Sequence, residues 1–149
     1  MTRKELSINT FLKFIALQHS ALAKQVRFMF SKKQIGQLGE KLAAQYLREQ
    51  GFKIIALNYQ TKHGEIDIVC RKDKITVFVE VKTRTSNICG LPEEAITKTK
   101  ATHLINSAFE YLIQNPGPWQ IDLVTVEILS SQPTIIKHWP QIIDETIYY

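Results

Sequence analysis

Residues 64–84 read GEIDIVCRKDKITVFVEVKTR, two runs rich in Val and Ile separated by the polar residues 71–74. Val and Ile favour strands, and a short polar break between two such runs is typical of a β-hairpin. Each run also carries an acid, Asp67 or Glu80, where a buried strand ordinarily has an apolar residue. The stretch therefore predicts a hairpin whose two strands hold carboxylates.

The turn of this hairpin decides which side chains share a face. With a two-residue turn at 73–74, counting outward places Asp67 opposite Glu80, and Lys82 lies on the same face two residues further on. Opposed Cβ atoms are about 5 Å apart, close enough for both carboxylates to bind one divalent cation. Without a cation, repulsion would force one acid to hold a proton at pH 7. A three-residue loop would instead put the two acids on opposite faces.

The basic charge of the chain is concentrated at its N-terminus. The 149 residues, 44% hydrophobic and 22% charged, fit a single globular domain. Residues 1–33 hold seven basic side chains and one acid, whereas residues 34–149 hold twelve basic and thirteen acidic ones. We therefore assign residues 1–33 to a basic amphipathic N-terminal extension and residues 34–149 to the main domain. The extension fits a polyanion or membrane-surface contact as well as it fits a loosely packed appendage.

Cysteine usage and hydropathy indicate the compartment. Cys70 and Cys89 are the only cysteines, and their spacing fits neither a zinc pair nor a redox pair, which favours a reducing cytoplasm. Cys70 shares its strand face with Ile66 and Ile68 in a regular strand, which predicts a buried free thiol. No run of about 20 apolar residues is present, so the sequence predicts no transmembrane segment.

Hydrophobic periodicity outside the hairpin predicts two helices and three further strands. A helix over 35–50, ended by Gly51, has a broad apolar arc, and Glu40 falls inside that arc. Glu40 is either a first-turn acid favoured by the helix dipole or an acid directed at a group that needs charge. The other elements are a strand over 52–58, a helix over 97–114, and strands over 119–128 and 134–139. The order αβββαββ predicts an α/β fold with a mixed sheet of about five strands flanked by helices.

Glu40, Asp67, Glu80 and Lys82 form a set suited to metal-assisted phosphodiester hydrolysis. Carboxylates bind Mg²⁺ or Mn²⁺, and such a cation neutralises a phosphate and lowers the pKa of a bound water. A nearby lysine can orient or deprotonate that water, whereas zinc would be expected to recruit His or Cys. An isolated Glu-x-Lys is more often a solvated strand face, but here both charges emerge from an otherwise apolar strand.

Four motifs in sequence order resemble those of the YraN-like family of small bacterial proteins. They are Gly36-x-x-Gly39-Glu40, residues 64–69 (GEIDIV), residues 77–84 (VFVEVKTR), and Lys100 with residues 121–124 (IDLV). The resemblance covers about residues 35–128 and implies a restriction-endonuclease-like core of the PD-(D/E)XK superfamily, related to archaeal Holliday-junction resolvases. It implies that Asp67, Glu80 and Lys82 are the superfamily's signature residues and that Glu40 is its helix carboxylate.

The resemblance and the residues together predict a Mg²⁺- or Mn²⁺-dependent endonuclease acting on DNA, with branched or single-stranded DNA as candidate substrates. The expected metal ligands are Glu40, Asp67 and Glu80, and Lys82 is expected to position the nucleophilic water. The expected nucleic-acid contacts are Arg84, Lys98 and Lys100. A resolvase-like role would also imply a homodimer, because two symmetric strands are cut.

Two alternatives to the nuclease remain open. The first is a non-catalytic nucleic-acid-binding or scaffold module on the same fold, favoured by the nearly neutral residues 34–149, since phosphate contacts need Lys and Arg. The second is attachment of the protein to a membrane or a partner through residues 1–33. Metal binding distinguishes the nuclease from the first alternative.

Overall fold

The computed structural model describes residues 30–85, 96–129 and 133–143. The elements in these ranges are α1 (Lys32–Glu49), β1 (Lys53–Thr61), β2 (Gly64–Lys72), β3 (Ile75–Arg84), α2 (Lys98–Gln114), β4 (Trp119–Glu127) and β5 (Ile135–Trp139). The predicted α/β fold with a five-stranded mixed sheet flanked by two helices is confirmed, and it is consistent with a restriction-endonuclease-like core. The predicted extension up to residue 29 and Cys89 lie outside the described residues.

The five strands form one sheet in the order β1-β2-β3-β4-β5. The first three strands form an antiparallel meander, β4 lies parallel to β3 after the crossover through α2, and β5 returns antiparallel. The middle strand β3 is buried continuously over residues 76–81, which explains its run of Val and Phe. Glu80 is therefore an acid inside a continuously buried part of β3.

The β2–β3 hairpin has the predicted two-residue turn. Asp73 at its tip has φ of 54°, a left-handed conformation that Asp adopts more readily than most residues. From the turn the register continues without a shift to Ile68 opposite Val79. Asp67 and Glu80 are the next residues outward, and Asp67 Oδ2 accepts a hydrogen bond from the Val81 N–H, so the two acids lie on adjacent parts of β2 and β3.

The two helices cover opposite faces of this sheet. Residue Ser31 caps α1, because its hydroxyl accepts from the Gln34 N–H while the Gln34 side chain accepts from the Ser31 N–H. This capping box starts α1 three residues earlier than predicted. The apolar arc of α1 packs on one face, and the inner stripe of α2 packs on the other. Neither helix of the described ranges is long and apolar enough to cross a membrane.

Close contact between α1 and β3 occurs at Gly39. A Cβ atom on Gly39 would lie 1.8 Å from Thr83 Oγ1 and 2.9 Å from Thr83 Cβ. Glycine is therefore required for the backbone of α1 to lie this close to β3. The contact places the next residue, Glu40, beside the strand that carries Glu80.

Cys70 is a buried free thiol, as predicted. Burial, followed by the charge of Asp122, raises its pKa to about 12, so the thiol stays protonated and unreactive at neutral pH. Ile68 packs with Cys70 in the cluster under α1, whereas Ile66 packs in the cluster under α2. The prediction that all three share one face is wrong, because the alternation of side chains is interrupted at Asp67, between the two isoleucines.

Candidate active site

Asp67 and Glu80 stand on adjacent strands near the middle of the sheet. Glu80 is 8% exposed and Asp67 is partly buried. Asp67 Oδ2 accepts a 2.7 Å hydrogen bond from the Val81 N–H, which fixes this carboxylate to the backbone of β3. Glu80 Oε2 is buried and accepts no hydrogen bond from the described residues. The pair therefore combines an oriented carboxylate with one that keeps acceptor capacity.

The electrostatics of this acid pair disfavour two negative charges. Burial, and then the charge of Glu80, raises the pKa of Asp67 from 3.8 to about 7. The Val81 hydrogen bond and the positive charge of Lys100 lower this pKa by smaller amounts, and Glu40 raises it slightly. A protonated acid at neutral pH is the behaviour expected of two opposed carboxylates. A cation bound between them would remove both the repulsion and the need for the proton.

Lys100 approaches the acid pair from the first turn of α2. Its Nζ lies 2.8 Å from Glu80 Oε2, an ion pair by distance, although the angles fall outside those of a hydrogen bond. The attraction depends on distance and not on N–H direction, so the two groups still neutralise each other in part. The lysine predicted to contact nucleic acid thus lies against a predicted metal ligand.

The other predicted cations lie where β3 ends and α2 begins. Lys82 is exposed two residues beyond Glu80, so the alternation of the strand puts both side chains on one face, with Cα atoms about 7 Å apart. Arg84 is the last residue of β3 and is partly buried, whereas Lys98 is the first residue of α2 and is exposed. Lys82 is thus the one of these three that shares a strand face with the acid pair, whereas Arg84 and Lys98 mark the end of β3 and the start of α2.

Glu40 belongs to a second group of polar side chains next to the acid pair. Asn58 Nδ2 donates a 2.9 Å hydrogen bond to Glu40 Oε2 and a 3.2 Å hydrogen bond to Glu65 Oε1. The amide of Gln60 donates to the other oxygen of Glu65. Glu40 is close enough for its charge to raise the pKa of Asp67. Because α1 begins at Lys32 and has no acid in its first turn, the helix-dipole alternative for Glu40 is wrong.

Asn58, Gln60 and Glu65 are absent from the predicted site. Asn58 carried a usable signal, because Asn is rare in strands and frequent at left-handed positions. The hydrogen bonds of Glu65 follow from the β1–β2 register, in which Gln60 pairs with Glu65. That register depends on irregularities in β1 that alternation alone does not reveal.

The carboxylates fit a hard divalent cation by their chemistry. Their oxygens are the ligands of Mg²⁺ and Mn²⁺ rather than of Zn²⁺. The raised pKa of Asp67 indicates a site that gains from positive charge, and Lys100 Nζ already supplies one such charge at Glu80 Oε2. Over the described ranges, however, no three His, Cys, Asp or Glu side chains are grouped as a metal site. The predicted three-ligand set is thus a pair, Asp67 and Glu80, with Glu40 as its neighbour.

A separate buried acid, Asp122, serves the fold instead. It is fully buried on β4 and accepts hydrogen bonds from Gln120 Nε2 at 2.8 Å and from the Gln141 N–H at 3.0 Å. Its other oxygen lies 2.7 Å from His138 Nε2, and the His138 ring packs edge-on against Phe52. Asp122 therefore ties β5 and the turn after it to β4.

The same region of the chain carries its similarity to known proteins. A family model described as "Uncharacterised protein family UPF0102" matches residues 39–126. That span begins at the close contact of Gly39 and includes every predicted site residue. The chain belongs to the UPF0102 family. This membership confirms the resemblance to YraN-like proteins.

Curated UPF0102 proteins from several bacteria match over most of their length. The UPF0102 protein of Syntrophomonas wolfei is 51% identical over 84 residues, which are 56% of this chain and 73% of the relative. That of Lachnoclostridium phytofermentans is 50% identical over 112 residues, 72% of this chain and 93% of the relative. That of Nocardia farcinica is 39% identical over 110 residues, 72% and 87% of the two chains. The UPF0102 description states no activity, so a functional hypothesis has to come from the site.

Proposed function

We propose that this UPF0102 protein hydrolyses phosphodiester bonds in DNA with the help of Mg²⁺ or Mn²⁺. The observation that carries the proposal is the acid pair of partly buried Asp67 and buried Glu80, with Lys82 on the same strand face as Glu80. Strongly perturbed carboxylates beside positive charges are concentrated at functional sites in proteins. Lys100, 2.8 Å from Glu80, adds a second ammonium group to the same place.

Each side chain has a distinct task in such a reaction. Asp67 and Glu80 would hold the cation, with Glu40 as the third carboxylate, and the Val81 N–H keeps the Asp67 carboxylate oriented. When bound, the cation supplies charge neutralisation at the phosphate and lowers the pKa of a water. Lys82 Nζ would donate to that water or to a phosphate oxygen. Lys100 would stabilise the charge that develops on the phosphate.

Branched or single-stranded DNA would be the substrate and would approach where β3 ends. Arg84, the last residue of β3, and Lys98, the first residue of α2, would contact the DNA backbone there. A homodimer would allow two strands of a branched junction to be cut symmetrically. A cytoplasmic setting agrees with the buried free thiol of Cys70.

Cleavage assays on branched, single-stranded and duplex DNA in Mn²⁺ test the proposal. We expect the wild-type protein to cleave at least one substrate, and chelation of the metal to stop cleavage. Asp67→Asn combined with Lys82→Met should lower the rate at least about 100-fold, because it removes a metal ligand and the group that positions water.

The hairpin offers a matched control for this double variant. Asp73→Asn combined with Lys74→Met makes the same chemical changes at the exposed tip of the same hairpin and should leave cleavage intact. Equal cleavage by both double variants, or none by the wild-type protein on any of the substrates, would rule out the nuclease.

The nearly neutral charge of residues 34–149 favours a second candidate, a nucleic-acid-binding or scaffold module without turnover. In that case salt-sensitive DNA binding should survive Asp67→Asn with Glu80→Gln. Titration of the wild-type protein with Mn²⁺ should then release or absorb no heat. Metal binding lost on the same substitutions would instead support the nuclease.

Removal of residues 1–29 is expected to weaken DNA binding without lowering thermal stability. The deleted segment carries five of the seven basic residues of the predicted extension, whereas the capping box at Ser31 is retained. Fluorescence anisotropy at several salt concentrations should show a lower affinity and a smaller salt dependence. Unchanged DNA affinity, together with lost binding to anionic vesicles, would support the membrane-surface alternative for this segment.

A further inference from the structure

Asn58 interrupts β1 at the position that faces Asp67. The pairs on either side, Leu57 with Ile68 and Tyr59 with Ile66, leave these two residues at the same level of the ladder. Asn58 has φ of 50°, the left-handed conformation that few residues other than Gly adopt readily. Asn58, the irregular position of β1, thus lies next to Asp67, the acid of β2 whose pKa is strongly raised.

The alternation of side chains in β2 breaks at the same level of the sheet. On the two sides of Asp67, Ile66 packs in the cluster under α2 and Ile68 packs in the cluster under α1. A regular strand would place both isoleucines on one face. The irregularity is therefore shared by β1 and β2, and it is centred on the acid pair rather than at the end of the hairpin.

The side chain of Asn58 makes specific use of this conformation. Its amide donates from Nδ2 to Glu40 at 2.9 Å and to Glu65 at 3.2 Å. Gln60 donates to Glu65 in turn, so a row of hydrogen bonds runs from β1 and β2 to α1. An amide orients a carboxylate without neutralising it, whereas a lysine at this place would cancel the charge needed for a cation.

We propose that Asn58 is a positioning residue, which holds the carboxylate of Glu40 near Asp67 so that it can join the acid pair as a third ligand when a divalent cation binds. The inference rests on the proposed function, because it assumes that the acid pair binds a metal. Hydrogen bonds from neighbouring side chains to metal ligands commonly contribute about 10-fold or more to metal affinity. Asn58 has this relation to Glu40.

The competing explanation for Asn58 concerns the edge of the sheet. β1 is an edge strand, and irregular positions in edge strands hinder pairing with other chains. In that case the left-handed backbone alone matters and the amide is incidental. Glycine separates the two explanations, since it adopts the left-handed conformation and has no side chain.

Calorimetric titration of the full-length protein with Mn²⁺ tests the inference. Asn58→Gly is expected to weaken Mn²⁺ binding about 10-fold while the midpoint of thermal unfolding changes little. Glu40→Gln should weaken binding at least as much. The double variant should bind Mn²⁺ no more weakly than Glu40→Gln alone, because Asn58 acts only through Glu40.

The outcomes distinguish this inference from the function on which it rests. If Asn58→Gly binds Mn²⁺ as tightly as the wild-type protein does, or if the losses of affinity add up in the double variant, the role of Asn58 is overturned. The metal site itself would not be affected by either result. Absence of Mn²⁺ binding by the wild-type protein would overturn both. Circular dichroism measures the unfolded fraction of Asn58→Gly. If an increase in that fraction accounts for the whole loss of Mn²⁺ affinity, Asn58 has a role in folding only and the inference is overturned.

Discussion

Asp67→Asn is expected to raise the free energy of unfolding at pH 8 by about 2–4 kcal/mol, while abolishing the proposed hydrolysis. The pKa of Asp67 rises from 3.8 to about 7, mainly because of burial and then because of Glu80. A difference of about three pKa units corresponds to about 4 kcal/mol, an upper limit for the cost of ionising this acid in the folded protein. Asn is neutral and its side-chain oxygen can still accept the Val81 hydrogen bond.

The pH dependence of this effect has a definite sign. Below about pH 4 Asp67 is protonated in both the folded and the unfolded protein, so it costs no stability. Between about pH 4 and pH 7 only the unfolded protein releases this proton, which favours unfolding increasingly as the pH rises. Above pH 7 the full penalty is present. The stability advantage of Asp67→Asn should therefore be near zero at pH 4 and complete at pH 8.

Urea unfolding of both proteins between pH 4 and pH 8 measures the effect. The difference between the two free energies at each pH removes the contribution of the other titrating groups. Asp73→Asn is the matched control, because it is the same substitution at an exposed turn position with φ of 54° that Asn also adopts. A difference for Asp67→Asn that stays constant over this range would contradict the account of the acid pair.

Addition of Mn²⁺ should reverse the order of the two proteins at pH 8. A cation that binds the folded wild-type protein stabilises it by mass action, and its charge offsets the repulsion between the ionised Asp67 and Glu80. The variant lacks a charged ligand and should gain little. An Asp that destabilises the fold where Asn would stabilise it is expected at a position where the acid is kept for function.

The features that the sequence predicts well are those set by local rules. A two-residue turn suffices to predict how β2 pairs with β3 from the turn as far as Ile68 opposite Val79, one position before the two acids, since the hairpin brings together residues that are close in sequence. The apolar arc of α1 is likewise visible in the spacing of its residues. The family resemblance adds the expectation that Glu40 belongs with these acids.

The features that the sequence does not reveal depend on distant contacts or on a single backbone angle. Lys100 reaches Glu80 only because α2 packs across the sheet, so its ion pair is invisible in the local pattern. Ile66 packs on the face opposite to that of Ile68, beside the left-handed Asn58, whose amide makes the link to Glu40. Alternation is reliable along regular strands and fails where one residue leaves the β conformation.

Gly39→Ala is expected to destabilise the protein by about 3 kcal/mol, although the same substitution inside a helix ordinarily stabilises by about 1 kcal/mol. The new Cβ would lie 1.8 Å from Thr83 Oγ1, so α1 would have to move away from β3. Gly36, one turn earlier in the same helix, is the matched control. A Cβ on Gly36 meets no atom within 4 Å, so Gly36→Ala should be stabilising.

Changing Thr83 tests whether this one contact causes the loss. Thr83→Ala relieves the clash only in part, because its own Cβ would remain 2.9 Å from the Cβ of Ala at position 39. Thr83→Gly removes both contacts and should recover most of the stability lost in Gly39→Ala, beyond its own cost of about 1 kcal/mol in a strand. Thermal and urea unfolding of the single and double variants give the interaction energy. If the Gly39→Ala protein is as stable as the Gly36→Ala protein, α1 does not lie this close to β3. The placement of Glu40 near Asp67 would then lose its structural basis.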